Sequence, residues 1–549
     1  MCGIFGGINT TFGQKAVAQL HHRGPDQSHV VTEPVGPGLA LTLGQTRLNV
    51  VDRHDIDLPV RIGDAAILFN GEVYNHIELR AELEGLGHRF ATKTDTEVVL
   101  AAYLEWGHDC LRRFNGMFAL AIWDGELLFC ARDRMGQKPL FYRSGPERFE
   151  VASEIKAFPE LGFTSNDVFD LFEFCFDEHT LYRDVYALQP GHFLVYRPDA
   201  QTLRIHRWWD IAEQIDGHLD DEDEAIERFV ETLRDAIALR LRADVDVTMF
   251  MSGGIDSSLI AALAGVKRVF TCQFVEFEGM IDEAVYAGDL ATRLGIDLDL
   301  VVPTKDEFFT ALPALAHHLE IPTGSFSVFP LYQLSAAVKA AGYKVVLSGE
   351  GADELFGGYA RNEFLFAEQA EPDGEKRRQY ASMLGRFRGD PLDQFCRMAS
   401  RSGLEGAARM RMFLRPHWRD RMTLLQNMCF VEARFFLQPL LQMGDRMTMA
   451  HGVEARCPFL DYRMVELAFS MSDRLRNRDG TGKWIVREAA RRVLPKGTKL
   501  LDRRVKHGLP TPVNLWMQGR HSFDRKYWNA ILTAECMKAL LGTTQKSAS

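Results

Sequence analysis

The second residue of the chain is a cysteine, in "MCGIFGGINT". Small second residues permit removal of Met1, and Cys2 would then carry both a thiol and a free α-amine. An α-amine titrates near pH 7.7–8 and a free thiol near 8.5, so at neutral pH the amine can take the thiol proton. That is an N-terminal nucleophile. The plainer reading is a small apolar residue opening a strand. A second stretch, "MSGGIDSSLI", joins two glycines, three hydroxyls and a carboxylate. Gly253 and Gly254 let the backbone approach an anion, and amides at a following helix start can bind phosphate. Ser252, Ser257 and Ser258 add hydroxyl donors, and Asp256 can hold a magnesium ion bridging phosphates. There is no G-x-x-x-x-G-K-[ST], so the site is not of the Walker type; the plain alternative is a serine-capped turn. A third stretch is "VVLSGEGADELFGGY". Here Asp353 can face Asp256 as a second magnesium ligand. Glu350 can act as a general base or hold an acceptor.

These residues need elements to place them. Up to Trp209 the chain reads as short strands between turns: "GLALTLGQTRLNVVD", "AAILFNGEVY", "MFALAIWDGELLFCARD" and "HFLVYRPDAQTLRIHRWW". Helical stretches such as "HIELRAELEGLG" intervene. This predicts a layered α+β domain over 2–209, dominated by antiparallel sheet. Residues 210–222 read as a linker whose acidic end starts a helix, since negative charge is favourable there. Ile226, Phe229, Val230, Leu233 and Ile237 continue it at helical spacing. Strands and helices then alternate: "DVTMFMSGG" before "IDSSLIAALAG", "VFTCQF" before "DEAVYAGDLATRLG", and "LYQLSAAVKAAG" before "YKVVLSG". That pattern predicts an α/β domain over 223–530, a parallel sheet with helices on both faces and ligands at the strand carboxyl ends. From about residue 360 the chain reads as helical. "AEQAEPDGEKRRQY" is expected to be an exposed excursion and 531–549 a tail.

The 549 residues are too many for one ordinary core. Composition is globular, with 46% apolar and 25% charged residues. The net charge of −11, from 64 basic and 75 acidic residues, argues against a general nucleic-acid binder. No apolar run reaches membrane-spanning length. The start has no basic, apolar leader, so a cytoplasmic protein is expected. None of the nine cysteines forms a CxxC pair, which disfavours zinc ribbons and disulfide frameworks.

The "SGGIDSS" string resembles the pyrophosphate loop of ATP pyrophosphatases, which adenylate an acid and release pyrophosphate. The whole chain resembles the glutamine-hydrolysing asparagine synthetases, class II glutamine amidotransferases fused to an ATP pyrophosphatase domain. "HRGPD", "FNGEVYN", "TDTEVVLAAY", "RDRMGQKPLFY", "LSGEGADELFGGY", "DRMTMAHGVEARCPFLD" and "GKWIVREAARRVLP" carry the likeness in order. It implies a four-layer N-terminal-nucleophile glutaminase (αββα), in which Cys2 attacks the glutamine carboxamide. Arg47 would hold the α-carboxylate, and Asp95 with Glu72 the α-amine. Asn70 and Gly71 would form the oxyanion hole. Read by themselves, Asn70–Gly71 suggest a hairpin turn and Asp95 a helix cap. ATP would lie against Phe250, Ser252, Ser348 and Gly349, with Cys272 nearby, and Lys483 would contact phosphates and intermediate. Glutamine, ATP with Mg2+, and a small carboxylic acid are the implied partners; a homodimer is admitted but not required.

One departure concerns the acceptor. The stretch "LEIPTGSFSVFPLYQLSAAVKAAG" lacks the arginine that well-known bacterial members carry where aspartate is expected to sit. Glu320 and nearby hydroxyls are then the polar groups offered to an acceptor. Aspartate is the leading acceptor; a sugar acid or natural-product precursor is the alternative. An intramolecular amide former of the β-lactam synthetase kind is disfavoured by the intact Cys2, Arg47 and Asp95. A stand-alone glutaminase with a regulatory second domain is disfavoured by Asp256, Glu350, Asp353 and Lys483.

Overall fold

A computed structural model describes residues 2–172, 174–175, 177–213, 219–277, 283–323, 325–359, 361–362, 390–400, 403–478, 480–502, 511–516 and 532–536. The expected excursion at 367–380, the middle of the linker at 214–218, and all of the tail except 532–536 lie outside them.

Among the described residues, twelve strands are found in the first half: β1 (Cys2–Ile8), β2 (Gln27–Gly36), β3 (Leu39–Arg47), β4 (Val60–Ile62), β5 (Ala65–Val73), β6 (Gly116–Trp123), β7 (Leu128–Arg132), β8 (Phe141–Gly145), β9 (Arg148–Ala152), β10 (Tyr186–Ala187), β11 (His192–Arg197) and β12 (Thr202–Arg207). They make two antiparallel six-stranded sheets, ordered β10-β8-β9-β1-β3-β2 and β12-β11-β7-β6-β5-β4. Strand side chains alternate between faces. Ile4 and Ile8, Leu41 and Leu43, Ala66 and Leu68, Ala119 and Ala121 therefore meet between the sheets as one buried core. On the outer faces Phe5 packs with Ala16 of the helix Gly13–Gln19, and Ile67 and Phe69 pack with Val98 and Val99 of the helix Asp95–Trp106. The result is the four-layer αββα arrangement. The same alternation creates the site: moving along the inner faces, Ile4 gives way to Cys2, Leu68 to Asn70 and Glu72, and Leu43 to Gln45 and Arg47. The interior turns polar at one end of the sandwich.

The second half is built on β13 (Val247–Phe250), β14 (Arg268–Cys272), β15 (Asp297–Val301), β16 (Val345–Leu347) and β17 (Glu454–Arg456). All pair in parallel in the order β15-β14-β13-β16-β17. The chain leaves β13 in one direction and returns on its other side at β16, so a ligand crevice opens at the carboxyl ends of these two strands. The acidic run before them does start a helix: Glu222–Arg240 is capped by the Asp221 carboxylate, which accepts from the Glu224 N–H. Later helices include Pro391–Ala399, Gly403–Leu414, Leu437–Met449 and Trp484–Val493. Among the described residues no helix is long and apolar enough to cross a membrane.

A buried charge network ties the halves together and corrects one expectation. The Glu320 carboxylate is fully buried and faces the first half, accepting from the Ile155 and Lys156 N–H groups at 3.0 and 2.6 Å. Arg446 joins it at 2.6 Å and reaches Glu154 at 2.6 Å. Glu320 is therefore consumed in fastening the domains and is not a handle for an acceptor. Removing one partner of a buried ion pair leaves an uncompensated charge, so Arg446→Met should lower stability by about 3–5 kcal/mol. A urea unfolding midpoint that stayed put would reduce this network to the worth of exposed ion pairs.

Candidate functional site

At the polar end of the sandwich Cys2 lies opposite Arg47 in the β1–β3 register and is buried, with 7% exposure. The Cys2 N–H donates to Asn70 Oδ1 at 3.2 Å. Asn70 Nδ2 is buried and has no partner among the described residues. Two residues on, Glu72 shares its face. Its Oε2 accepts from Arg456 at 3.3 Å, while its Oε1 is buried without a partner among the described residues. Asp95 accepts from the Val73 N–H at 2.9 Å. Burial raises the Glu72 carboxyl well above its usual range; the Asp95 charge adds to this and Arg456 opposes it. Asp95 is raised too, first by burial, against the pull of His76. The Arg47 guanidinium donates to the carbonyls of His54, Val51 and Asp52 at 2.8, 3.1 and 2.5 Å. A guanidinium has five N–H donors, so this loop grip leaves it donors for a ligand.

Two local readings change. Asn70–Gly71 is no hairpin turn: both residues lie inside β5, and a methyl at Gly71 would overlap the Met117 carbonyl across the sheet. Asp95 is not the cap: Thr94 caps the helix, accepting from the Glu97 N–H, and Asp95 opens its first turn. That frees Asp95 to face Glu72.

The second cluster sits where the β13 and β16 ends meet. After β13, Gly253 adopts φ +72°, a conformation open to glycine, and a side chain there would strike the Glu283 carbonyl. The helix Ile255–Ala264 follows. Ser257 Oγ donates to the Gly254 carbonyl at 3.1 Å, Ser252 and Ser257 hydroxyls lie 3.3 Å apart, and Ser258 Oγ is buried without a partner among the described residues. Gly349 packs on this loop, its Cβ position 3.4 Å from the Ser257 nitrogen. The Ser348 N–H donates to the Arg456 carbonyl at 2.9 Å. Lys483, at φ +56° ahead of the helix Trp484–Val493, places its ammonium 2.6 Å from Asp256 and 2.7 Å from Asp353. Both carboxylates thus converge on one buried cationic point. That geometry fits a divalent ion, because magnesium is commonly held by one or two carboxylates together with substrate phosphates.

Phe250, Ser348 and Glu350 line a small cavity of about 20 Å3. Gln137 and Lys138 of the first half close its other side. Cys457 donates to Glu350 Oε2 at 3.7 Å, and burial keeps its thiol protonated. Cys272 ends β14 in an apolar cluster with Phe274, its thiol pushed up to about 12 by burial. Sequence reading passed over Arg456, which meets Glu72, and Gly358, where a methyl would overlap both Asp353 and Lys483. The second glycine of "FGGY" was the available signal for Gly358; nothing local marks Arg456.

Comparison with known proteins agrees with this pairing of sites. The glutamine amidotransferase domain pattern matches residues 1–209 and the asparagine synthase pattern residues 228–534. The asparagine synthetase [glutamine-hydrolyzing] 1 of Bacillus subtilis is 30% identical over 575 aligned positions, covering 94% of this chain and 88% of the relative. Amidase chry2 of Gibberella zeae is 28% identical, covering 86% of this chain and 81% of the relative. An antiparallel αββα domain joined to a parallel α/β domain, each with its own polar cluster, is the build of an ATP-dependent glutamine amidotransferase. The chain belongs to the asparagine synthase family.

Proposed function

We propose that the chain moves ammonia from glutamine to a carboxylic acid activated by ATP, with aspartate the first acceptor to test. The observation that supports this most is the cavity shared by the two halves, with Lys138 on one wall and Glu350 on the other. Ammonia released in one half would reach the other through this seam, which shelters it from bulk water, where it would be protonated.

In the first half the Cys2 thiolate attacks the glutamine carboxamide carbon. Its α-amine takes the thiol proton and hands a proton to the departing ammonia. The unpartnered Asn70 amide and the Gly71 N–H receive the oxyanion, where one donor can be worth about 3–4 kcal/mol. Arg47 forks onto the α-carboxylate, and the free Glu72 oxygen with Asp95 takes the α-ammonium. Water then releases glutamate from the thioester. In the second half Phe250, Ser252, Ser348 and Gly349 hold ATP beside Cys272, and the loop Gly253–Ser258 cradles its phosphates. Asp256 and Asp353 would hold magnesium, which would neutralise phosphate charge. The acceptor carboxylate attacks the α-phosphorus and pyrophosphate leaves. Lys483 steadies the phosphates and the acyl-adenylate. Ammonia attacks the acyl carbon, Glu350 takes the proton it sheds, and AMP departs.

The acceptor is tested by supplying candidate acids with ATP, magnesium and glutamine. Aspartate at millimolar concentration is expected to give asparagine and one pyrophosphate per turnover. If aspartate gives none while a sugar acid or another carboxylic acid drives pyrophosphate release, the acceptor changes and the amidotransferase reading stands. The relative named as an amidase makes this second arm worth running.

A further inference from the structure

Strand β17 lies at the edge of the parallel sheet, and its Arg456 reaches into the other domain. Glu454 and Arg456 are two residues apart and share a face. Arg456 is fully buried, and each of its guanidinium nitrogens is engaged. Nε meets Glu454 at 2.5 Å, Nη1 donates to the carbonyls of Arg240 and Arg242 at 2.7 and 2.8 Å, and Nη2 reaches Glu72 Oε2 at 3.3 Å. The Tyr74 ring lies beside the guanidinium, 5.3 Å from its centroid. The two carbonyls fix the fork in place, so its last arm is aimed at Glu72 and not free to follow it.

We propose that Arg456 is a positioning residue for glutamine hydrolysis, supplied by the second domain: it anchors one oxygen of Glu72 so that the other stays an acceptor aimed at the glutamine α-ammonium. This rests on the reading of Glu72 as an ammonium-binding group. Burial first, then the Asp95 charge, already push Glu72 toward protonation, and Arg456 is the side chain that opposes this; losing it adds to the push. A protonated Glu72 is a poor partner for an ammonium. Arginine suits the position because it stays charged and its fork can serve several acceptors at once. The glutamine site is then complete only while the two domains are docked, which ties glutamine binding to the sheet that carries Ser348 and Glu350.

The test uses the full chain and follows glutamate release. Truncating one partner of a buried, hydrogen-bonded charge pair is costly, so Arg456→Met should raise the glutamine KM at least about tenfold. Its kcat should change far less, because the anchored group binds the substrate's ammonium and not the reacting carbon. Arg456→Lys keeps the charge and should recover part of the KM. In a Glu72→Gln background, where no carboxylate remains to anchor, adding Arg456→Met should leave KM nearly unchanged. The same KM increase in both backgrounds, or a loss confined to kcat, overturns the proposal. An unaltered KM in Glu72→Gln alone would instead remove the underlying reading of Glu72. Should Arg456→Met fail to fold, Arg456→Lys measured in both backgrounds decides the question in the same way.

Discussion

Cys2→Ala is expected to abolish glutamine-driven synthesis while synthesis driven by ammonium salts continues. Loss of a covalent nucleophile costs several orders of magnitude, and here at least roughly 10³-fold is expected. The selectivity follows from the fold. Cys2 and its partner Asn70 belong to the antiparallel sandwich. The helix starts bearing Asp256 and Asp353 follow strands of the parallel sheet, so the alanine leaves them untouched. Ammonium salts replace the product of the first site and bypass it. Equal loss of both activities would show that the two clusters form a single site. The same reasoning makes Met1 a second lever. With Met1 in place the Cys2 nitrogen is a peptide nitrogen and cannot take up the thiol proton, so uncleaved protein should behave as Cys2→Ala does. Intact mass, compared with glutaminase activity across preparations, checks this.

How legible the molecule was in its sequence depended on how local each signal is. "SGGIDSS" was readable because its glycines, hydroxyls and carboxylate are consecutive, and strand–loop–helix context is a short-range property. The sandwich was readable from alternation, since Leu68, Asn70 and Glu72 declare a face that turns from apolar to polar. Asn70–Gly71 misled for the converse reason. Asn-Gly is a strong turn signal on its own, yet here the glycine is required by close approach to Met117 on the neighbouring strand. That neighbour is fixed by tertiary pairing. Glu320 and Arg456 lay further out of reach. A sequence shows that carboxylates and guanidiniums exist, but not which pair will meet. Glu320 finds Arg446, and Arg456 finds Glu72 across 384 positions. Buried charges must be paired, so each of these residues is decided by the fold as a whole.

Asp256→Asn and Asp353→Asn should each cut acid-dependent pyrophosphate release by roughly two to three orders of magnitude, the scale seen when a preorganised charge at a reacting centre is removed. Glutamine hydrolysis should survive in both variants. Asp256 stands in the first turn of the helix Ile255–Ala264, where its charge is favoured by the helix end. Asp353 stands in the first turn of the short helix Ala352–Phe356, and both reach the Lys483 ammonium at 2.6–2.7 Å. Two carboxylates around one cation can exchange part of that interaction for a magnesium–nucleotide complex, with Lys483 then turning to the phosphates. One carboxylate alone cannot hold both. Raising magnesium should therefore restore some activity to each Asn variant, whereas a defect in folding would not respond. Gly358→Ala supplies an independent check. Its methyl would press on both Asp353 and Lys483 without altering any charge, and it should reproduce the loss of pyrophosphate release. Near-normal synthesis in Asp353→Asn would mean that the second carboxylate serves only to pair with Lys483, and the metal assignment would pass to Asp256 alone.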